Sequence, residues 1–322
     1  MVAITSKKVL VLGSTGVIGK VLVNALISAN ANFERIGIFT SAETVDNKKD
    51  LIESYRSKGV DIVTGDVYDD NDVLEAFKGF DTVVSAVGRF GIDKQIDLIS
   101  LAERCPNIIR FIPSEYGTDV AYNSDSFKEK PHQKKLRVRA HLESDFIRRL
   151  KYTYLVTGPF ADLYVGCMAK EPQMGSFDVE RKQATLLGDG TGRVSLTTMA
   201  DVGRLLVAVL KHPDFCDNKA VKVNSFTTTP QDILTEFERQ TDSKWEVSYT
   251  SLDELERLEG SAWETGNELA TIYTLRRIWT EGSTLYGQTD NEAIGMTKMD
   301  TLEMVVQEAL SNPVSAFQSG KL

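Results

Sequence analysis

Residues 9–22 read VLVLGSTGVIGKVL. An aliphatic run stops at Gly13, glycines recur at Gly16 and Gly19, and a second aliphatic stretch follows at once. The first run suits a buried strand and the second a helix, so the glycines sit at a strand-to-helix junction. There, Gly13 permits a tight turn, Gly16 lets the backbone approach a pyrophosphate, and Gly19 lets the helix pack closely on the sheet. The helix start offers free N–H groups and the positive end of its dipole to a phosphate. The whole loop, Gly13, Ser14, Thr15, Gly16, Val17, Ile18 and Gly19, is therefore expected to hold a nucleotide.

The rest of the first half repeats this unit. Strand patterns at 8–12, 35–39, 61–64, 82–86, 108–113 and 153–157 alternate with helical patterns at 17–28, 48–58, 70–77, 93–104 and 133–150. Strand and helix in strict turn predict an α/β fold, a Rossmann-type doubly wound parallel sheet. After about residue 160 the rhythm breaks. Gly188 to Gly192 marks a turn between short extended segments, and helical patterns follow at 199–211, 230–240, 252–258, 264–279 and 300–310. We therefore expect a nucleotide-binding domain over 1–160 and a smaller α+β substrate-binding lobe over 161–322, with one strand free to return to the main sheet.

The bulk numbers exclude several classes of function. A net charge of -9 disfavours a nucleic-acid surface, which needs a basic stripe. Cys105, Cys167 and Cys216 are far apart, and with three histidines neither a disulfide framework nor a metal site is expected. No apolar run is long enough to span a membrane, and the N-terminus enters a strand pattern without signal-peptide features. A cytoplasmic protein with a small-molecule substrate is expected, its oligomeric state, a homodimer included, left open.

NAD sites usually place an acid at the tip of the second strand. Here that strand ends in Thr40 and Ser41, with Lys48 and Lys49 close behind, a set better suited to a 2′-phosphate. NADP(H) is thus favoured over NAD(H). No tyrosine has a lysine four residues on, and no G-x-S-x-G elbow occurs. The remaining candidate is the helical stretch from Gln133, where Lys135, Arg139 and Leu142 fall on one face. Two readings stay open from these residues alone. One is an exposed basic helix; the other is a cleft in which a lysine of lowered pKa exchanges protons.

Several stretches together, GSTGVIG, VVSAVG at 83–88, RFIPSEYGTDV at 110–120, the Lys135 helix, YTYLVTGPFADLY at 152–164 and LLGDGTGRV at 186–194, carry a family resemblance. Their order and spacing resemble the NmrA-like branch of atypical short-chain reductases, in particular the isoflavone reductase-like enzymes. These include the phenylcoumaran benzylic ether and pinoresinol–lariciresinol reductases. The resemblance implies an NADPH-dependent reductase of a small aromatic or secondary-metabolite substrate. It places Ser85, Ala86 and Val87 along the nucleotide, Lys49 near the 2′-phosphate, and Pro159 and Phe160 beside the nicotinamide. Lys135 matches the family's catalytic lysine, acting as general acid or base, and Arg139 its nearby arginine. Non-catalytic NmrA-type sensors, which bind NAD(P) and a protein partner, generally lack that lysine, so its retention favours the enzyme. Two positions depart from the pattern: Thr40 replaces the usual arginine, and Gly158-Pro159 replaces an Asn-Cys pair.

Ser114 and Glu115 fall at the carboxyl end of the fifth strand, where such sheets place ligands, and are candidates for the substrate. Tyr164 and Met168 are candidates for an apolar wall. His132, just ahead of the lysine helix, either lines the cleft or is a plain loop histidine.

Overall fold

The computed structural model describes residues 5–166 and 171–312. Its strands are β1 (Lys8–Leu12), β2 (Arg35–Thr40), β3 (Asp61–Thr64), β4 (Thr82–Ser85), β5 (Arg110–Ile112), β6 (Lys151–Val156), β7 (Ser176–Asp178), β8 (Gln183–Leu187), β9 (Val194–Leu196), β10 (Lys219–Lys222), β11 (Phe226–Thr228) and β12 (Glu246–Thr250). The helices are α1 (Val17–Ser28), α2 (Ala42–Asn47), α3 (Lys49–Ser57), α4 (Asp70–Phe77), α5 (Gln95–Arg104), α6 (Gln133–Leu142), α7 (Ala161–Gly166), α8 (Met199–Lys211), α9 (Pro213–Cys216), α10 (Pro230–Thr241), α11 (Leu252–Glu264), α12 (Ala270–Thr280) and α13 (Leu302–Ser311).

Seven strands form one parallel sheet in the order β3-β2-β1-β4-β5-β6-β10. The two-residue period of a strand explains its two covered faces. Val9 and Val11 of β1 point into one core with Leu22 and Leu26 of α1, Ile52 of α3 and Leu205 of α8. Leu10 and Leu12 point into the other with Val73 of α4, Leu98 of α5 and Val138 of α6. Strand order reverses between β1 and β4, which opens a crevice at their carboxyl ends.

The chain leaves this body after β6, returns for α8 and β10, and leaves again. α8 lies against α1 and β10 pairs in parallel with β6. The second lobe holds β8 between antiparallel β7 and parallel β12, and a separate β9–β11 pair. Its own core gathers Tyr164, Phe177, Leu186, Phe237, Trp245 and Val306. Among the described residues no helix is long and apolar enough to cross a membrane.

Three helical expectations differ in extent: the pattern over 252–258 continues to Glu264 as α11, the one over 264–279 begins at Ala270 as α12, and a third is cut short. The predicted helix over 133–150 stops at Leu142. Ser144 Oγ donates back to the His141 carbonyl, and the chain then turns so that Arg149 can donate to the carbonyls of Ala102, Glu103, Cys105 and Ile108. Arg149 thereby satisfies the exposed end of α5, a tertiary demand that overrides the local helical pattern.

Candidate active site

Gly13 takes φ +73°, and a Cβ there would lie 2.4 Å from the Ala86 carbonyl oxygen. At Gly19 a Cβ would lie 2.1 Å from the Gly13 carbonyl oxygen, so α1 presses on the loop closer than any side chain allows. Gly16 is the N-cap of α1 and no side chain caps it, leaving the first N–H groups, at Val17 and Ile18, open to an anion. The Ser14 and Ser85 hydroxyls, after β1 and at the end of β4, are buried with no partner among the described residues. Gly13→Ala is expected to destabilise the fold by more than about 1 kcal/mol through its left-handed backbone. The same change should abolish nucleotide binding, checked by thermal melts with and without dinucleotide.

Ala86 continues β4 through a 2.8 Å bond to the Leu12 carbonyl. Ser114 Oγ donates to the Val87 carbonyl at 2.9 Å, and its N–H donates to Gln95 Oε1 at 2.7 Å. Ser114 thus staples the ends of β4 and β5, and its polar groups are engaged within the protein. Thr40 pairs with Thr64 at the end of β2, and Ser41 Oγ caps α2. The lysine that folds back on the glycine loop is Lys48, whose ammonium donates to Thr15 O and Oγ1 at 3.1 and 2.9 Å. Lys49, favoured by the resemblance, starts α3 and is exposed.

Lys135 and Arg139 meet the end of β5 together. Lys135 Nζ donates to the backbone carbonyl of Glu115. One turn on, Arg139 clasps the Glu115 carboxylate with bonds of 2.8 and 3.0 Å and reaches Asp119 at 3.0 Å. Asp119 also pairs with Lys222 at 2.8 Å, and the Tyr154 ring lies under the Arg139 guanidinium at 4.4 Å. Arg139 and Glu115, at 7% and 2% exposed, are therefore spent on each other. Arg139 thus commits three of its five N–H groups to Glu115 and Asp119, and both Glu115 carboxylate oxygens accept from it. The exposed basic helix is excluded for this face. Lys134 and Arg137, on the other side of α6, make the solvated pairs with Asp93.

Burial lowers the Lys135 pKa from its ordinary value, helped by the positive charges of Arg139 and Arg89 and opposed by Glu115. An amine so placed can exchange a proton nearer neutrality than a surface lysine.

Phe160 is fixed by a bridge to Thr197, whose N–H donates to the Pro159 carbonyl at 3.1 Å. Tyr164 is buried under the Arg276 guanidinium at 4.3 Å and beside the Trp279 ring at 6.1 Å. Trp279 Nε1 in turn donates to Thr118 Oγ1 at 2.7 Å, tying α12 to the segment after β5. Met168 lies outside the described residues. Asp119 and Thr118 escape the sequence reading although both lie in the SEYGTDV stretch, whereas the sequence already marks Lys48, beside Lys49, as suited to a 2′-phosphate. No cluster of three or more potential metal ligands occurs among the described residues.

An open phosphate cradle at the strand-order reversal, with a half-buried lysine at the same sheet edge, defines a Rossmann-type dinucleotide-binding protein with a second lobe. The chain belongs to the NmrA-like family, whose model matches residues 5–298. It is 29% identical over 300 residues to an isoflavone reductase of Pisum sativum, covering 88% of this chain and 90% of that protein. A crystal structure of isoflavone reductase superposes with a TM-score of 0.80 at 26% identity, covering 94% of this chain and 99% of the other. The leucoanthocyanidin reductase–NADPH complex of Vitis vinifera shares the fold, with a TM-score of 0.78 at 20% identity over 95% and 100% of the chains.

Proposed function

We propose that this protein is an NADPH-dependent reductase that delivers hydride to a small aromatic or secondary-metabolite substrate, with Lys135 as general acid or base. The observation that carries the reading is the lysine itself, half-buried at the carboxyl edge of β5 and held on the Glu115 carbonyl. The names of the relatives above, reductases in each case and one in complex with NADPH, support the reaction class and the cofactor.

The residues fit a dinucleotide. The Gly13–Gly19 loop leaves the space and the uncapped N–H groups that a diphosphate needs, and the two orphaned serine hydroxyls flank it. Ser85, Ala86 and Val87 would line one side, and Pro159 and Phe160 the far end. When bound, the cofactor supplies the hydride. Lys135 donates a proton to, or withdraws one from, the substrate heteroatom conjugated to the accepting carbon. Arg139 and Glu115 hold the lysine's anchor, while Tyr164 and Trp279 offer apolar walls. Consumption of NADPH by the purified protein, followed by fluorescence over a panel of phenylpropanoid and polyketide acceptors, tests this. Tight NADPH binding with no turnover on any acceptor, and a protein captured by pull-down, would instead indicate a sensor.

Lys48, whose ammonium lies against Thr15 of the glycine loop, would recognise a 2′-phosphate. Lys48→Met is expected to weaken NADPH binding roughly tenfold, the worth of a charge-assisted hydrogen bond, and to leave NADH binding unchanged. Isothermal titration with both cofactors checks it.

A further inference from the structure

His132 stands outside the machinery described so far. It occupies the N-cap position of α6, without a side-chain capping bond, three residues before Lys135, a spacing that puts both on one side of the helix. The imidazole is 2% exposed, and its Nδ1 lies 3.1 Å from the Ser126 carbonyl oxygen. A carbonyl only accepts, so Nδ1 carries the proton and Nε2 of the neutral ring carries the lone pair. That lone pair is buried with no donor among the described residues. The Tyr122 ring meets the imidazole edge-on at 5.9 Å, which together with the Ser126 bond fixes the ring's orientation. A buried acceptor left unsatisfied is costly. Here it sits one turn from a flexible side chain that ends in three donors.

We propose that His132 Nε2 is the second acceptor for the Lys135 ammonium and thereby a positioning residue for proton transfer. This rests on the reading of Lys135 as the proton carrier. The ammonium divides its three N–H groups among the Glu115 carbonyl, His132 Nε2 and the substrate atom. In the transfer step the third N–H bond breaks, the proton goes to the substrate, and the electron pair stays on Nζ. The amine then takes a proton back from water.

Four groups face the imidazole: Lys135 on α6, Glu129 ahead of it, Glu115 after β5, and the Tyr122 ring. Burial pushes the His132 pKa below its ordinary 6.5 and the Lys135 charge adds to this, while the Ser126 carbonyl and the two glutamates oppose. Below that pKa the ring can no longer accept and repels the ammonium, so kcat should fall on the acid side.

Two variants separate the acceptor from mere packing. His132→Asn keeps a donor for the Ser126 carbonyl but removes the ε acceptor; His132→Gln restores an acceptor at the ε position. His132→Asn is expected to lower kcat about tenfold, the loss of one charge-assisted hydrogen bond, with the NADPH Kd unchanged. His132→Gln should recover most of the rate and lose the acid limb. Independently of activity, NMR titration of the imidazole, one of three histidines, should show its pKa rising in Lys135→Met as the neighbouring charge is removed. An unchanged kcat in folded His132→Asn, or a His132 pKa that ignores Lys135→Met, overturns the proposal. Turnover that survives Lys135→Met overturns instead the reading beneath it. Should His132→Asn fail to fold, the NMR comparison still decides.

Discussion

Lys135→Met is expected to lower kcat by about 10²–10⁴-fold, the usual worth of a positioned acid or base, while the Kd for NADPH stays near the wild-type value. The phosphate cradle is built from β1 and α1, and Lys135 reaches only the end of β5, so the two functions separate cleanly. Single-turnover kinetics and equilibrium fluorescence titration measure the two halves. The variant should also be more stable than wild type at neutral pH. Because burial lowers the Lys135 pKa below its ordinary 10.5, the unfolded chain holds that proton more tightly than the folded one. Wild-type stability therefore rises with pH between the folded pKa and 10.5, and the advantage of Lys135→Met shrinks across that window. Denaturant midpoints at neutral and alkaline pH check the sign.

Arg139→Met is expected to destabilise the protein by about 3–5 kcal/mol, because it leaves the buried Glu115 carboxylate without its partner. The guanidinium makes three hydrogen bonds, two to Glu115 and one to Asp119, on a helix whose next turn carries Leu142 into the core. Arg139→Lys keeps the charge but not the fork, so it should recover only part of the loss. Acid sensitivity should change as well. Burial pushes the Asp119 pKa up, but Lys222, Arg139 and a backbone N–H outweigh it and hold the carboxyl below 3.8. The stability that Asp119 contributes is present above that value and is lost as pH falls through the lower, folded pKa. Without Arg139 part of this contribution disappears, so acid unfolding should begin at higher pH. Circular dichroism melts across the acid range would measure the shift, and an unshifted midpoint would show the pair to be energetically idle.

The sheet was legible from sequence because its central strands, β1 and β4 above all, are buried on both faces and read as nearly continuous aliphatic runs. β1 and β3 lie where their patterns predict, while the starts of β5 and β6 move by two residues and their ends by one. Elements of the second lobe were less legible. β7, β9 and β11 are three residues each, too short for a period to declare itself. α2 escaped notice because six residues starting at a Ser41 cap carry little amphipathic pattern. At the site, the glycine loop announced its chemistry through local sterics alone. The Glu115–Arg139–Asp119 group did not, since only the docking of α6 on the end of β5 brings residues 115 and 139 together. Lys48 and Lys49 differ by one position at a helix start, and only the observed turn between α2 and α3 decides which faces the loop.

The return of the chain for α8 and β10 governs how this fold can be re-purposed. The lobe core is assembled from two stretches, 161–196 and 226–309, with a piece of the nucleotide body spliced between them. A recombinant chimera that exchanges only the downstream stretch would set Phe237 and Val306 against foreign partners for Tyr164 and Phe177. Transplanting a new substrate preference therefore takes a double crossover, leaving 199–222 in place as the host's own framework. The first stretch runs from β6 to α8 and is held by the nucleotide body at both ends, whereas the second is held there only at its start, by β10, and closes in α13 against α7 and α10.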